Sequence, residues 1–104
     1  MTRQEYLYLT TIGRRSGLPR EIEIWFTEHG GHHYVIAEHD ERAQWVRNLK
    51  ANAAVRFRVG NQTFQGHARV LDGAADAELI GIVRRLSEQK YGWGDGLVVE
   101  LVPH

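Results

Sequence analysis

The chain of 104 residues contains no cysteine. Disulfides, thiolate zinc sites, iron–sulfur ligation and cysteine nucleophiles are thereby excluded. A cysteine-free chain fits a cytoplasmic protein. The polar start Met1-Thr2-Arg3-Gln4-Glu5 has no apolar h-region, so no signal peptide is expected. No apolar run approaches the ~20 residues that a membrane helix requires. An excess of either charge is also missing: 13 Lys and Arg balance 13 Asp and Glu. Nothing global draws the chain to nucleic acid or to an anionic membrane, so any anion site must be local. Repeats, linkers and low-complexity tracts are absent as well. What remains is expected to be one domain over residues 1–104. A chain this short buries only about two-thirds of its unfolded surface, which leaves a thin core and favours a homodimer.

Strand and helix signals cover most of the chain. Glu5–Ile12 is rich in Tyr, Leu, Thr and Ile and predicts a strand. Arg20–Thr27 alternates Ile22, Ile24 and Phe26 against Glu21, Glu23 and Trp25, the period of a half-buried strand. Glu28-His29-Gly30-Gly31 predicts a hairpin turn, and His32–Ala37 a third strand. Asp40 is a candidate helix N-cap, followed by an amphipathic helix over 41–51. Val55–Val59 and Phe64–Val70 predict two further strands around a Gly60-Asn61 turn. Leu79, Ile80, Ile82, Val83 and Leu86 place a second helix over Ala74–Gln89, and Leu97–Val102 ends the chain as a strand. The order β-β-β-α-β-β-α-β points to an α+β fold with an antiparallel sheet or barrel.

Three clusters could carry chemistry. Gly13-Arg14-Arg15-Ser16-Gly17-Leu18-Pro19-Arg20 places arginines, a hydroxyl and two glycines in one turn between strands. Glycine lets backbone N–H groups approach an anion, and guanidinium forks bind phosphate in pairs. The same composition also suits a solvated basic hairpin turn. Glu38-His39-Asp40-Glu41, leading to Trp45 and Asn48, is either a pocket rim or, at Trp45, core shared with Val46 and Leu49. Lys90-Tyr91-Gly92-Trp93-Gly94-Asp95-Gly96 holds two aromatics on a glycine-rich loop, fit to cover an aromatic ligand or to plug a sheet end or dimer seam. The six histidines show no metal spacing, no hydrolase elbow is present, and basic and aromatic residues do not interleave as in RNA-binding sheets.

These segments together carry a resemblance. Leu9-Thr10-Thr11-Ile12-Gly13-Arg14-Arg15-Ser16-Gly17-Leu18-Pro19-Arg20 resembles the TTxGRxSGxPR opening of the deazaflavin-dependent nitroreductase family, within the flavin-reductase-like split β-barrel superfamily. Trp45–Asn52 resembles that family's W-x-x-N-L-x-A-N/D-P segment, and Val59–Phe64 its VGGxxF hairpin. The chain departs from the pattern in opening almost at its first strand, in a short turn between Ala37 and Trp45, and in Ala53 where the family has proline.

The resemblance implies a split β-barrel of about six mostly antiparallel strands with two helices, and a bound coenzyme F-420. It assigns the cofactor's phosphate to Arg14, Arg15, Ser16 and Gly17, with Arg20 nearby. The ring falls beside Ile36, Ala37, Glu38 and His39, bordered by Trp45 and Asn48. The implied activity is hydride transfer from the reduced deazaflavin to a quinone- or nitro-type acceptor. No dedicated catalytic residue is assigned; Tyr91 and His39 are the candidates for protonating product. FMN in place of the deazaflavin, a non-enzymatic flavin or deazaflavin carrier, and a structural barrel dimer without ligand are the alternatives. No metal, nucleic acid or membrane partner is expected.

Overall fold

The computed structural model describes residues 5–104; the polar start Met1–Gln4 lies outside the described residues. Seven strands form one antiparallel sheet: β1 Tyr6–Ile12, β2 Pro19–Trp25, β3 Thr27–His29, β4 His32–Ala37, β5 Ala54–Val59, β6 Gln62–Val70 and β7 Leu97–Pro103. A 3₁₀ turn at Asp40–Arg42 leads into helix α1, Gln44–Ala51, and α2 spans Ala77–Tyr91. The strand order is β2-β1-β5-β6-β7-β4-β3.

The expected second strand is in fact two. Period-two alternation runs unbroken through Phe26, yet β2 ends at Trp25 and β3 begins at Thr27. The Phe26 N–H donates to the Tyr91 hydroxyl at 3.1 Å, and its carbonyl accepts from Lys90 Nζ at 2.9 Å. Its backbone groups are thus satisfied by α2 rather than by a neighbouring strand. On either side the chain changes partner: β2 pairs with β1, and β3 with β4. Since β2 and β3 are the two edges of the sheet, one residue joins edge to edge and the sheet curls into a half-barrel.

Two other boundaries move. Asp40 does not cap a helix: its φ is +52°, and Ala43 occupies the N-cap of α1. The second helix starts at Ala77 rather than Ala74, because Asp72 accepts the N–H groups of Ala74 and Ala75 and holds that stretch as a turn. It runs on to Tyr91 and stops at Gly92, where φ is +77°.

Two apolar clusters flank β7. Val99 and Leu101 face the interior of the curl, with Leu7, Leu9, Phe26, Val35, Leu49, Val55, Phe57 and Ala68. Val98 faces the other way, with Tyr34, Ile36 and Leu71, beneath Val83 of α2. Glu100 shares that second face. It is buried, with the Tyr34 hydroxyl at 2.7 Å and Arg69 Nε at 3.2 Å, so its charge is matched where it lies.

Candidate functional site

The turn between β1 and β2 is built by its glycines. Gly13 N–H donates to Leu18 O and Gly17 N–H to Gly13 O, each at 2.8 Å, closing a tight loop. Gly17 has φ +72°, where side chains are disfavoured. Gly13 is buried because the chain folds back on it. A Cβ there would stand 2.6 Å from Ser16 Oγ and 3.6 Å from Arg20 Nε, so Arg20 does converge on the turn. Ser16 Oγ accepts the Leu18 N–H at 3.2 Å, leaving its own proton available. Arg14, Arg15, Ser16 and Arg20 are all exposed, and among the described residues no carboxylate pairs with any of the three arginines.

Helix α1 ties this turn to the rest of the molecule. Buried Asn48 accepts from both Arg14 N–H, at 3.2 Å, and Arg14 Nη1, at 3.0 Å. Its own amide donates to buried Thr11 Oγ1 at 3.2 Å. Asn48 therefore seats one guanidinium against β1. Trp45 lies three residues earlier on the same helix, hence on the same face one turn away.

Trp45 forms part of a groove of about 700 Å3. One wall is the end of β4 and the following residues: Ile36, Ala37, Glu38 and His39. A second is the entry to α1, Ala43 and Trp45, and the third is Tyr6 with Ile22, Glu23, Ile24 and Trp25 of β2, closed by Trp93. Trp45 is half-buried, packing on the core side against the interior cluster and showing its other side to the groove, so the two readings of its role are both met.

The aromatic wall is held from behind. Tyr91 stacks on Trp25 with centroids 4.4 Å apart and planes 3° from parallel, and Trp93 meets Trp25 edge-on at 6.4 Å. The loop bearing Trp93 is fixed to α2: Ser87 Oγ donates to Trp93 O at 2.5 Å and Arg84 Nη2 to Gly96 O at 2.9 Å. Gly96, at φ +124°, sits against the Ala37 carbonyl, where a Cβ would collide.

Five of the expected residues, Ile36, Ala37, Glu38, His39 and Trp45, line this one groove. Arg14 and Asn48 are in contact, while Arg15, Ser16, Gly17 and Arg20 complete the turn beside them. Tyr91 does not line the groove. Its hydroxyl accepts from Phe26 N–H and faces the carbonyls of Glu5 and Phe26 at 2.6 and 2.9 Å, so its proton serves the backbone. Tyr6, Trp25, Ala43 and the Ile22–Ile24 stretch are the lining that sequence reasoning missed. The signal present was Trp25 on the outward row of β2, between glutamates and solvent, where a large aromatic is out of place. Among the described residues no group of three or more His, Asp or Glu is arranged to hold a metal ion.

Comparison with known proteins bears on the family and the fold. Residues 1–95 match the model of the F420H(2)-dependent quinone reductase family. A conserved hypothetical protein from Mycobacterium tuberculosis superposes with a TM-score of 0.77 at 18% identity, covering 96% of this chain and 73% of that one. An F420-H2 dependent reductase, FDR-A, gives 0.73 at 22%, covering 94% and 93%. The heme storage protein HutZ of Vibrio cholerae gives 0.72 at 19%, covering 98% and 83%. At these identities the likeness fixes the fold, an α+β split barrel with seven antiparallel strands and two helices.

Proposed function

Because the chain belongs to the F420H(2)-dependent quinone reductase family, we propose that it is a reductase that binds reduced coenzyme F-420 and passes its hydride to a small, planar electron acceptor of quinone or nitro type. The observation that carries this is the pairing of an apolar, aromatic-walled groove with a basic turn, both fastened to one helix. The residues fit such a ligand: a flat ring needs the Trp45 and Ile36–Ala37 walls, and an anionic tail needs arginines uncommitted to carboxylates. The chemistry the cofactor supplies when bound is hydride donation from its reduced ring.

The chain's own residues supply position and exclusion of water. Arg14, held by Asn48, and Arg15 and Arg20 clamp the phosphate, with Ser16 and the Gly17 N–H as neutral donors. Trp45, Ile36 and Ala37 orient the ring. Trp25 offers the acceptor a flat apolar wall, with Trp93 edge-on beside it. His39, exposed at the rim, is the residue placed to return a proton to product. The acceptor is neutral or cationic, because Glu23 and Glu38 line the same groove and repel anions. The whole chain acts as one cofactor-binding domain in the cytoplasm, with no nucleic acid or membrane partner; among the described residues no helix is long and apolar enough to cross a membrane.

The test is turnover. Purified protein given chemically reduced coenzyme F-420 and a water-soluble quinone or nitroaromatic is expected to restore the oxidised cofactor's absorbance in step with acceptor loss. Tight binding without turnover of any such acceptor would make the protein a carrier instead. Purification with bound FMN and no affinity for the deazaflavin would favour the FMN alternative.

A further inference from the structure

The β2 wall of the groove is a strand edge rather than a strand face. Ile22 and Ile24 pack on the interior cluster while Glu23 and Trp25 alternate to the other side, yet all four line the groove. β2 is an outer strand of the sheet, so only β1 is paired with it. In an antiparallel pair, alternate residues turn both backbone groups to the partner strand and the others turn both away. The set that faces β1 is fixed at the turn: Gly13 N–H donates to Leu18 O at 2.8 Å, so Leu18 faces β1, and with it Arg20, Ile22 and Ile24. Pro19, which has no N–H to give, falls in the other set, with Glu21, Glu23 and Trp25. The far end of the strand agrees. The Tyr91 hydroxyl sits between Glu5 O and Phe26 N–H, at 2.6 and 3.1 Å, where Phe26, the next residue of the inward set, would otherwise bond β1. Glu23 and Trp25 therefore turn N–H and C=O away from β1 and into the groove. Across the opening, β3 pairs with β4 only as far as Thr27 with Tyr34, so no strand reaches either residue. Among the described residues no loop or side chain bonds their N–H groups.

We infer that the Glu23 and Trp25 N–H groups hold the oxygens of a quinone acceptor and stabilise the negative charge that hydride transfer puts on them. This deepens the reductase reading and rests on it. The two N–H groups stand two residues apart, roughly 7 Å along the strand. The oxygens of a para-quinone lie at opposite ends of its ring, so each meets one N–H. The oxygens of a nitro group share one nitrogen and reach only one. The hydride given up by the reduced coenzyme brings the quinone two electrons and one hydrogen nucleus. One oxygen is then anionic until a proton, from solvent or from His39 at the rim, completes the hydroquinone. An N–H bonds an anionic oxygen about twice as strongly as a neutral one, so the contact counts most as the charge develops. The donors are set in place by the β1 ladder before the acceptor arrives. The charges of Glu21 and Glu23 along the same strand oppose the addition of a further strand, which leaves the edge to a small molecule.

Two measurements on the full chain test this. Amide hydrogen exchange of the wild type, read by nuclear magnetic resonance, is expected to find Glu23 and Trp25 exchanging about tenfold or more faster than Ile22 and Ile24. A water-soluble naphthoquinone, added without cofactor, is expected to slow those two amides. The second measurement compares Glu23→Pro, which deletes the N–H, with Glu23→Ala, which keeps it. Circular dichroism is expected to show both folded, since proline is tolerated where the N–H faces a free edge. With reduced coenzyme F-420 and the naphthoquinone, kcat of Glu23→Pro is expected about tenfold or more below that of Glu23→Ala. Quinone affinity, read from quenching of tryptophan fluorescence in the cofactor-free protein, falls by less. Equal kcat in the two folded variants overturns the inference and leaves the reductase reading in place. A quinone that slows both amides of a protein that never reduces it upholds the site and removes the reductase reading. Glu23 and Trp25 amides as protected as those of Ile22 and Ile24, or unchanged by the quinone, overturn the inference outright. If Glu23→Pro fails to fold, the exchange measurement decides.

Discussion

At the scale of single residues, Asn48 carries more than its place in an amphipathic helix suggests. It is buried and polar, taking two bonds from Arg14 and giving one to Thr11. Asn48→Ala leaves Thr11 and the Arg14 N–H without their partner, and the loss is expected at about 1–3 kcal/mol by urea denaturation. The same change frees Arg14 from its seat, so affinity for coenzyme F-420 drops beyond what the stability loss explains. Arg47→Ala is the control. Arg47 is exposed on the same helix, where its Nε reaches Glu41 O at 3.3 Å, and its removal leaves affinity unchanged. Equal affinity in Asn48→Ala and wild type would detach the helix from the turn.

At the scale of elements, α2 acts on the sheet through two residues at its end. Tyr91 and Lys90 both bond the backbone of Phe26, where β2 gives way to β3, and Tyr91 also stacks behind Trp25. Tyr91→Phe keeps the ring and removes the hydroxyl, so it is expected to cost about 1–3 kcal/mol in a urea titration. Turnover chemistry is expected to survive, which a proton-donating Tyr91 would not allow. A kcat that collapses while stability holds would return Tyr91 to the reacting atoms.

The same elements show what the sequence could reveal. The third strand, His32–Ala37, was legible to the residue, since its run of apolar residues is bounded by two glycines and by Glu38. The break at Phe26 was not, because alternation passes through it without a fault and the cause sits on a helix far along the chain. Trp25 was assigned to solvent by the same alternation, and its stacking partner is equally distant in sequence. The basic turn and the ends of β4 and α1 were legible because each is a local signal of glycine, charge or helical spacing. How they combine with the aromatic wall depends on the curl of the sheet, which no local pattern records.

At the scale of the whole molecule, stability depends on pH through groups buried on both sides of the sheet. His33 sits among Phe26, Phe57 and Phe64, with ring centroids 5.4–5.7 Å away. Burial lowers its pKa below the ordinary 6.5, more than Glu28, 3.3 Å away, raises it. Below pH 6.5 the unfolded chain takes up a proton that the folded one refuses, so stability falls as pH drops through that window, by at most about 1.4 kcal/mol per pH unit. Glu100 adds a second loss at lower pH. Burial raises its pKa, but bonds from Tyr34, His32 and Arg69 outweigh it and hold the carboxyl below its ordinary value. Urea midpoints measured from neutral to mildly acid pH are expected to slope in wild type and to flatten in His33→Phe; equal slopes would contradict this.

The account as a whole depends on one juxtaposition, a basic turn that holds an anionic tail while the groove beside it holds a flat ring. Calorimetric titration of coenzyme F-420 into wild type and into the double variant Arg14→Glu, Arg15→Glu measures it directly. Both sites are exposed, so the variant is expected to fold as the wild type does. Its affinity is predicted to fall about 100-fold or more, the loss of two charge-assisted contacts with repulsion added. A folded variant that binds the cofactor as tightly as wild type would contradict the account.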